Sequence, residues 1–158
     1  MTFNIGLSES NRDGVVKILN TVLADEYVPY TKTRNYHWNV VGAQFNDLHK
    51  FFQEQYEALD EMVDEVAERA RSLGGKAYGT LAEFSQHARL QEHPGQQPAA
   101  ITMVANLQAD HEAMVRTLRA DLETALEKHN DAGTNDFLTG LMEKHEKMAW
   151  MLRSFNEK

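Results

Sequence analysis

Residues 35–75, NYHWNVVGAQFNDLHKFFQEQYEALDEMVDEVAERARSLGG, decide how the chain is organised. Between an Asn46-Asp47 start signal and the Gly74-Gly75 stop, Phe52, Tyr56, Leu59, Val63, Val66, Ala70 and Leu73 recur in alternating steps of four and three. That spacing puts one apolar face on a helix. At ~100° per residue, His49, Gln53, Asp60, Asp64 and Glu68 form a second stripe beside the first. A helix with two occupied faces has two neighbours to satisfy.

The flanking sequence supplies one neighbour. Upstream, SESN at Ser8–Asn11 offers N-caps for a helix carrying Val15, Ile18, Leu19, Val22 and Leu23 at helical spacing. Pro29 removes a backbone bond, so a kink or break is expected there. The run TKTRNYHWN then carries the helix to about Asn39, and VVGAQ turns around Gly42. Downstream, Thr80 and Glu83 form a capping box for a short helix ending near Ala88. A third long helix is expected from about Ala99 to Lys128 and a fourth from Thr134-Asn135. No stretch alternates like a strand.

Loop lengths then choose the topology. Helices one and two, and three and four, are joined by tight turns, whereas roughly 25 residues separate two from three, against 2–8 in ordinary bundles. Two antiparallel hairpins joined by one long crossover make an all-α ferritin-like four-helix bundle, with the short helix in the crossover. All 158 residues fit one domain.

Composition narrows the function. Cysteine is absent, which excludes disulfides, thiolate-held metals and thiol nucleophiles. The formal charge of −8 opposes nucleic acid and favours cations. MTFNIGLSES has no secretory pattern, and no apolar run approaches the ~20 residues of a membrane span, so a cytoplasmic protein is expected.

Imidazoles and carboxylates together suit iron, zinc or manganese. Asp64 and Glu68, at i and i+4, can share one ion. His49 precedes Asp64 by 15 residues on one helix, about 22 Å at ~1.5 Å per residue. If both serve one metal, they come from different chains, and an antiparallel two-fold pairing makes the site twice. His37 is placed across the short turn to join its own His49. The same acids also fit an ordinary solvated face. Neither Glu-x-x-His nor HExxH occurs, which argues against ligands inside the bundle. His111 and His145 lie on apolar stripes and read as hydrogen-bonded core histidines, and the helix-four methionines as core filling.

The residues His37-Trp38-Asn39-Val40, Gly42, Phe45, Leu48-His49, Asp64-Glu65-Val66-Ala67-Glu68-Arg69 and Gly74-Gly75, with TNDFL and HEKMAWMLRSF downstream, resemble the Dps family, the mini-ferritins. The resemblance covers nearly the whole chain. It implies a hollow homododecamer whose ferroxidase centres lie between two-fold-related subunits, with His37 and His49 from one and Asp64 and Glu68 from the other. The implied activity is oxidation of Fe(II), preferentially by hydrogen peroxide rather than oxygen, and storage of Fe(III) mineral, which protects against oxidative damage. Trp38, and Trp150 in helix four, match tryptophans that absorb oxidising equivalents, although packing explains Trp150 equally well. Asp136, and more loosely Asp131, match acids at the three-fold pores; taken alone, Asp136 is an acid in a first helical turn, favoured by the dipole. Two departures stand out. Gln53 replaces an aspartate common in the family, which weakens a second iron site. No lysine-rich tail is present, so DNA binding is expected to be weak or absent. The contrasting reading is a DNA-compacting or scaffold helical protein without ferroxidase activity.

Overall fold

The computed structural model describes residues 3–157. Met1, Thr2 and Lys158, at the outer ends of MTFNIGLSES and FNEK, lie outside the described residues. Five helices follow in order: α1 (Glu9–Asn39), α2 (Phe45–Ser72), α3 (Leu81–His87), α4 (Ala100–Glu127) and α5 (Ala132–Asn156). Among the described residues there is no strand. α1 lies along α2, α4 along α5, and α1 also packs on α4, which closes the bundle; α3 rests on α1 from within the crossover.

Three local expectations change. Of the kink or break expected at Pro29, the break does not occur: Pro29 is buried inside a continuous helix. The missing backbone bond costs about 3 kcal/mol, but Val22, Leu23 and Val28 before it and Tyr36 after it are all buried, and breaking the helix would expose them. α2 begins at Phe45 rather than after an Asn46-Asp47 cap: Gly42, at φ 111°, turns the chain early, and Phe45 N–H donates to the Gly42 carbonyl. α5 begins at Ala132, not at Thr134-Asn135, because Asp131 is the N-cap and accepts from Thr134 N–H and Oγ1. The expected caps at Ser8 and at Thr80–Glu83 are present.

Side chains hold the long crossover to the bundle. The Arg89 guanidinium reaches Asp25 and Asp121, both at 2.7 Å, and Lys32 binds Asp110 at 2.7 Å and the Gln91 carbonyl at 2.9 Å. Asn20 accepts from Tyr78 N–H and donates to the Lys76 carbonyl.

Two apolar clusters fill the bundle, one around Leu19, Leu23, Leu59 and Met114, the other around Tyr36, Phe52 and Leu107. Through this core runs a polar chain with no solvent exposure. His145 Nε2 lies 2.7 Å from Glu26 Oε1, and His145 Nδ1 lies 2.8 Å from His111 Nδ1. Both histidines are hydrogen-bonded core residues, as their stripes predict. A neutral chain has His145 donating to the carboxylate and accepting from His111, so His111 Nε2 is left a bare acceptor without a partner. A second proton on His111 would have to sit there. Burial, with His145 beside it, therefore depresses its pKa well below the usual imidazole value.

The sign follows. A histidine that is harder to protonate folded than unfolded stabilises the fold fully above the unfolded pKa of about 6.5, and this is lost as pH falls below it. His111→Leu should cost about 1–3 kcal/mol at pH 7.5 by orphaning His145 Nδ1, yet lose less stability than the parent on acidification from pH 6.5. Denaturant melts across that range test this; parallel losses in both proteins would refute it.

Candidate metal centre

The hairpin between α1 and α2 builds a clasp. His37 closes α1 and His49 stands one turn into α2, and the short turn between them stacks their rings with centroids 3.8 Å apart and 17° between planes. His37 Nδ1 lies 2.7 Å from the His49 carbonyl oxygen, and His49 Nδ1 lies 2.8 Å from the His37 carbonyl oxygen. A carbonyl oxygen only accepts, so each Nδ1 carries the proton. Each Nε2 is left with its lone pair, the form in which imidazole binds a metal. Phe45 stacks on His49 and Tyr56 meets His37 edge-on, which restricts both rings further.

Asp64 and Glu68 are exposed on α2, and neither they nor Asp60 has a hydrogen-bond or ion-pair partner among the described residues. Asp60 and Asp64 line an open groove of about 400 Å³ beside Tyr27. α2 runs unbroken from His49 to Asp64, so the two lie about 22 Å apart along the axis. The structure brings His37 and His49 together and leaves Asp64 and Glu68 apart from them. Among the described residues, no three His, Asp or Glu side chains of one chain are gathered to hold a metal ion.

The remaining predicted residues fall as follows. Trp38 is 65% exposed beside the clasp, and Trp150 is 55% exposed on α5, so neither packs in the core of its own chain. Gln53 donates to Glu57 Oε1 at 2.7 Å on the exposed face. Asp131 is buried, and besides capping α5 it faces Arg69 at 3.3 Å. Asp136 is exposed and lies beyond the first turn, because α5 starts earlier than expected. Sequence reasoning missed Arg34. Its guanidinium sits 5.2 Å from the Trp38 ring, 5.5 Å from Tyr30 and 5.4 Å from Tyr56, and its Nη1 donates to Tyr30 Oη at 2.8 Å. The available signal was spacing: Tyr30, Arg34 and Trp38 follow one another at i, i+4 on the helix that ends in His37.

Comparison with known proteins agrees on the fold. The family model described as a ferritin-like domain matches residues 16–158. An uncharacterized low temperature-induced protein of Nostoc sp. is 52% identical over 98% of this chain and 86% of its own length. DNA protection during starvation protein 2 of Bacillus anthracis is 38% identical over 89% of this chain and 95% of its own. Among solved structures, DpsC from Streptomyces coelicolor superposes with a TM-score of 0.94 at 26% identity, covering 100% of this chain and 92% of that one.

The clasp makes a spectroscopic prediction. Solid-state NMR of ¹⁵N-histidine-labelled protein without added metal should show both His37 and His49 protonated at Nδ1. An unprotonated Nδ1 on either ring would contradict the clasp.

Proposed function

The chain belongs to the Dps family of ferritin-like proteins, and on that premise we propose that pairs of chains oxidise Fe(II) at centres shared across a two-fold axis and store the Fe(III) mineral inside a hollow homododecamer. One observation carries the reading. A pair of histidines with free Nε2 atoms, His37 closing α1 and His49 opening α2, and a pair of unpartnered acids farther along α2 lie about 22 Å apart. Each is half of a donor set that suits iron. An antiparallel two-fold apposition of α2 lays one chain's histidines against the other's acids, twice. His37 and His49 would then bind Fe(II) from one subunit, and Asp64 and Glu68 from the other.

Each Fe(II) gives one electron, and hydrogen peroxide takes two on its way to water, so consumption in pairs avoids releasing a hydroxyl radical. This is the chemical sense of peroxide as the favoured oxidant over oxygen, and of a role in iron storage and protection. Gln53 gives the histidine half no carboxylate for a second iron, and its amide is engaged with Glu57. The second iron is therefore held weakly. Trp38, exposed beside His37, is in position to yield an electron when only one iron is loaded. The pore-lining role goes to Asp136, since the Asp131 carboxylate is committed to Arg69 and the α5 cap.

The whole chain, 1–158, acts as one domain in the cytoplasm. No helix among the described residues is long and apolar enough to cross a membrane. A formal charge of −8 leaves little counterion release to drive duplex binding, so DNA is bound weakly or not at all.

Anaerobic loading with Fe(II) followed by peroxide tests the centre. His37→Ala/Asp64→Ala should consume peroxide more than tenfold more slowly than the parent and retain little iron; equal behaviour would remove the site assignment and favour a scaffold. Gln53→Asp should raise the number of Fe(II) bound per centre, read by anaerobic titration, and an unchanged number would detach Gln53 from the metal. Plasmid retention in a gel shift at physiological salt and sub-micromolar protein would overturn the DNA prediction.

A further inference from the structure

Arg34 is a half-buried cation that lacks an anion. No carboxylate of its own chain lies within ion-pair distance, among the described residues, and its Nε is buried without a hydrogen-bond partner. Three aromatic rings and the Tyr30 hydroxyl hold it on the face that carries the histidine clasp. Cation–π contacts of this kind fix the side chain without neutralising it. On the same face, Asp60 is an exposed carboxylate with no partner.

The register of the shared centre brings these two charges together. Across the two-fold axis, the partner's α2 runs parallel to this chain's α1, because α1 and α2 are antiparallel within a chain. His37 must stand level with the midpoint of Asp64 and Glu68 of the partner subunit. Arg34 lies three residues back along α1, about 4.5 Å. The same step back along the partner's helix ends between Asp60 and Asp64 of the partner subunit. Asp64 is taken by the ion, so Asp60 is the carboxylate left for Arg34.

We infer that Arg34 forms an intersubunit ion pair with Asp60 of the partner subunit, and acts as a positioning residue that sets the register of the two half-sites. The inference rests on the shared-centre reading. The contact occurs twice per dimer, one turn from each iron site, between a pre-oriented guanidinium and a carboxylate that loses water as the faces close. It removes the first acid of the strip from competition for iron and holds Asp64 and Glu68 opposite the histidines. It also accounts for a cation beside a cation-binding site: Arg34 answers Asp60 and leaves the metal's own acids free.

Arg34→Glu and Asp60→Arg, made singly, test the pair. Each single variant opposes like charges at both contacts of its homodimer. Each should shift sedimentation toward smaller species at micromolar protein and raise the Fe(II) concentration for half-maximal oxidation more than tenfold. Mixing the two variants by joint refolding should restore assembly and the Fe(II) response to within about threefold of the parent. In the mixed dimer one contact is the parental pair and the other its reverse. The double variant Arg34→Glu/Asp60→Arg, with both contacts reversed, should recover likewise, which covers a single variant that folds poorly. Single variants that assemble as the parent does, or a mixture and a double variant that both stay defective, would overturn the inference. Assembly is read without iron, so this outcome is separate from His37→Ala/Asp64→Ala, whose peroxide consumption judges the shared centre itself.

Discussion

A helix cannot fold its own histidine back onto its own acids. That limit governs the molecule. α2 stays helical from Phe45 to Ser72 because its inner face, Phe52, Leu59, Val63, Val66 and Ala70, is buried against the rest of the bundle. The packing that makes α2 rigid also keeps Asp64 a fixed distance of about 22 Å from His49. Stability and incompleteness have one origin. A flexible link there would let a chain close a metal site by itself, at the expense of the core.

The rest of the fold orients the histidine pair and the acid strip. The turn around Gly42 is short enough that His37 and His49 each donate Nδ1–H to the other's backbone carbonyl, and this fixes two tautomers without any third residue. The crossover, by contrast, is long and would be loose. Arg89, Lys32 and Asn20 tie it down, and α3 then packs Phe84 face to face on Tyr27 at 3.8 Å. Tyr27 borders the groove containing Asp60 and Asp64. Both ends of the functional face are thus supported by contacts made far from it in sequence.

Much of this was legible beforehand because helical period and loop length are local properties. The four long helices, the long crossover, the Thr80–Glu83 cap and the clasp partners all follow from spacing. The misreadings share one physical cause. Local backbone preference sets neither the break expected at Pro29 nor the starts of α2 and α5; core contacts distant in sequence, or a turn set by one left-handed residue, decide them. Asn130, at φ 53°, reverses the chain so that Asp131 N–H reaches the Ala125 carbonyl at 3.0 Å, and that places Asp131 at the cap. The Glu26–His145–His111 chain was visible only in part. Apolar stripes flagged the two histidines, but nothing local links Glu26 on α1 to His145 on α5. Iron, peroxide and the shell are what the family resemblance implies; spacing does not speak to them.

Charge explains why this face stays open in a single chain. Asp60, Asp64 and Glu68 are like charges one turn apart, an arrangement that disfavours an isolated helix by a few tenths of a kcal/mol per pair. On the exposed face water screens them, so the fold tolerates the strip. Closing the face against a second copy removes that water, and uncompensated acids would then oppose association. On the proposed pairing, the opposing clasp has at residue 53 an amide bonded to Glu57, and it brings two imidazole lone pairs and the Arg34 cation. On the proposed pairing, association would become favourable where the acids meet a guanidinium and a metal ion, and iron loading and subunit pairing would reinforce each other by linkage. An amide at residue 53 leaves one negative charge fewer beside the histidines than an aspartate would, which eases the approach of the partner's acids.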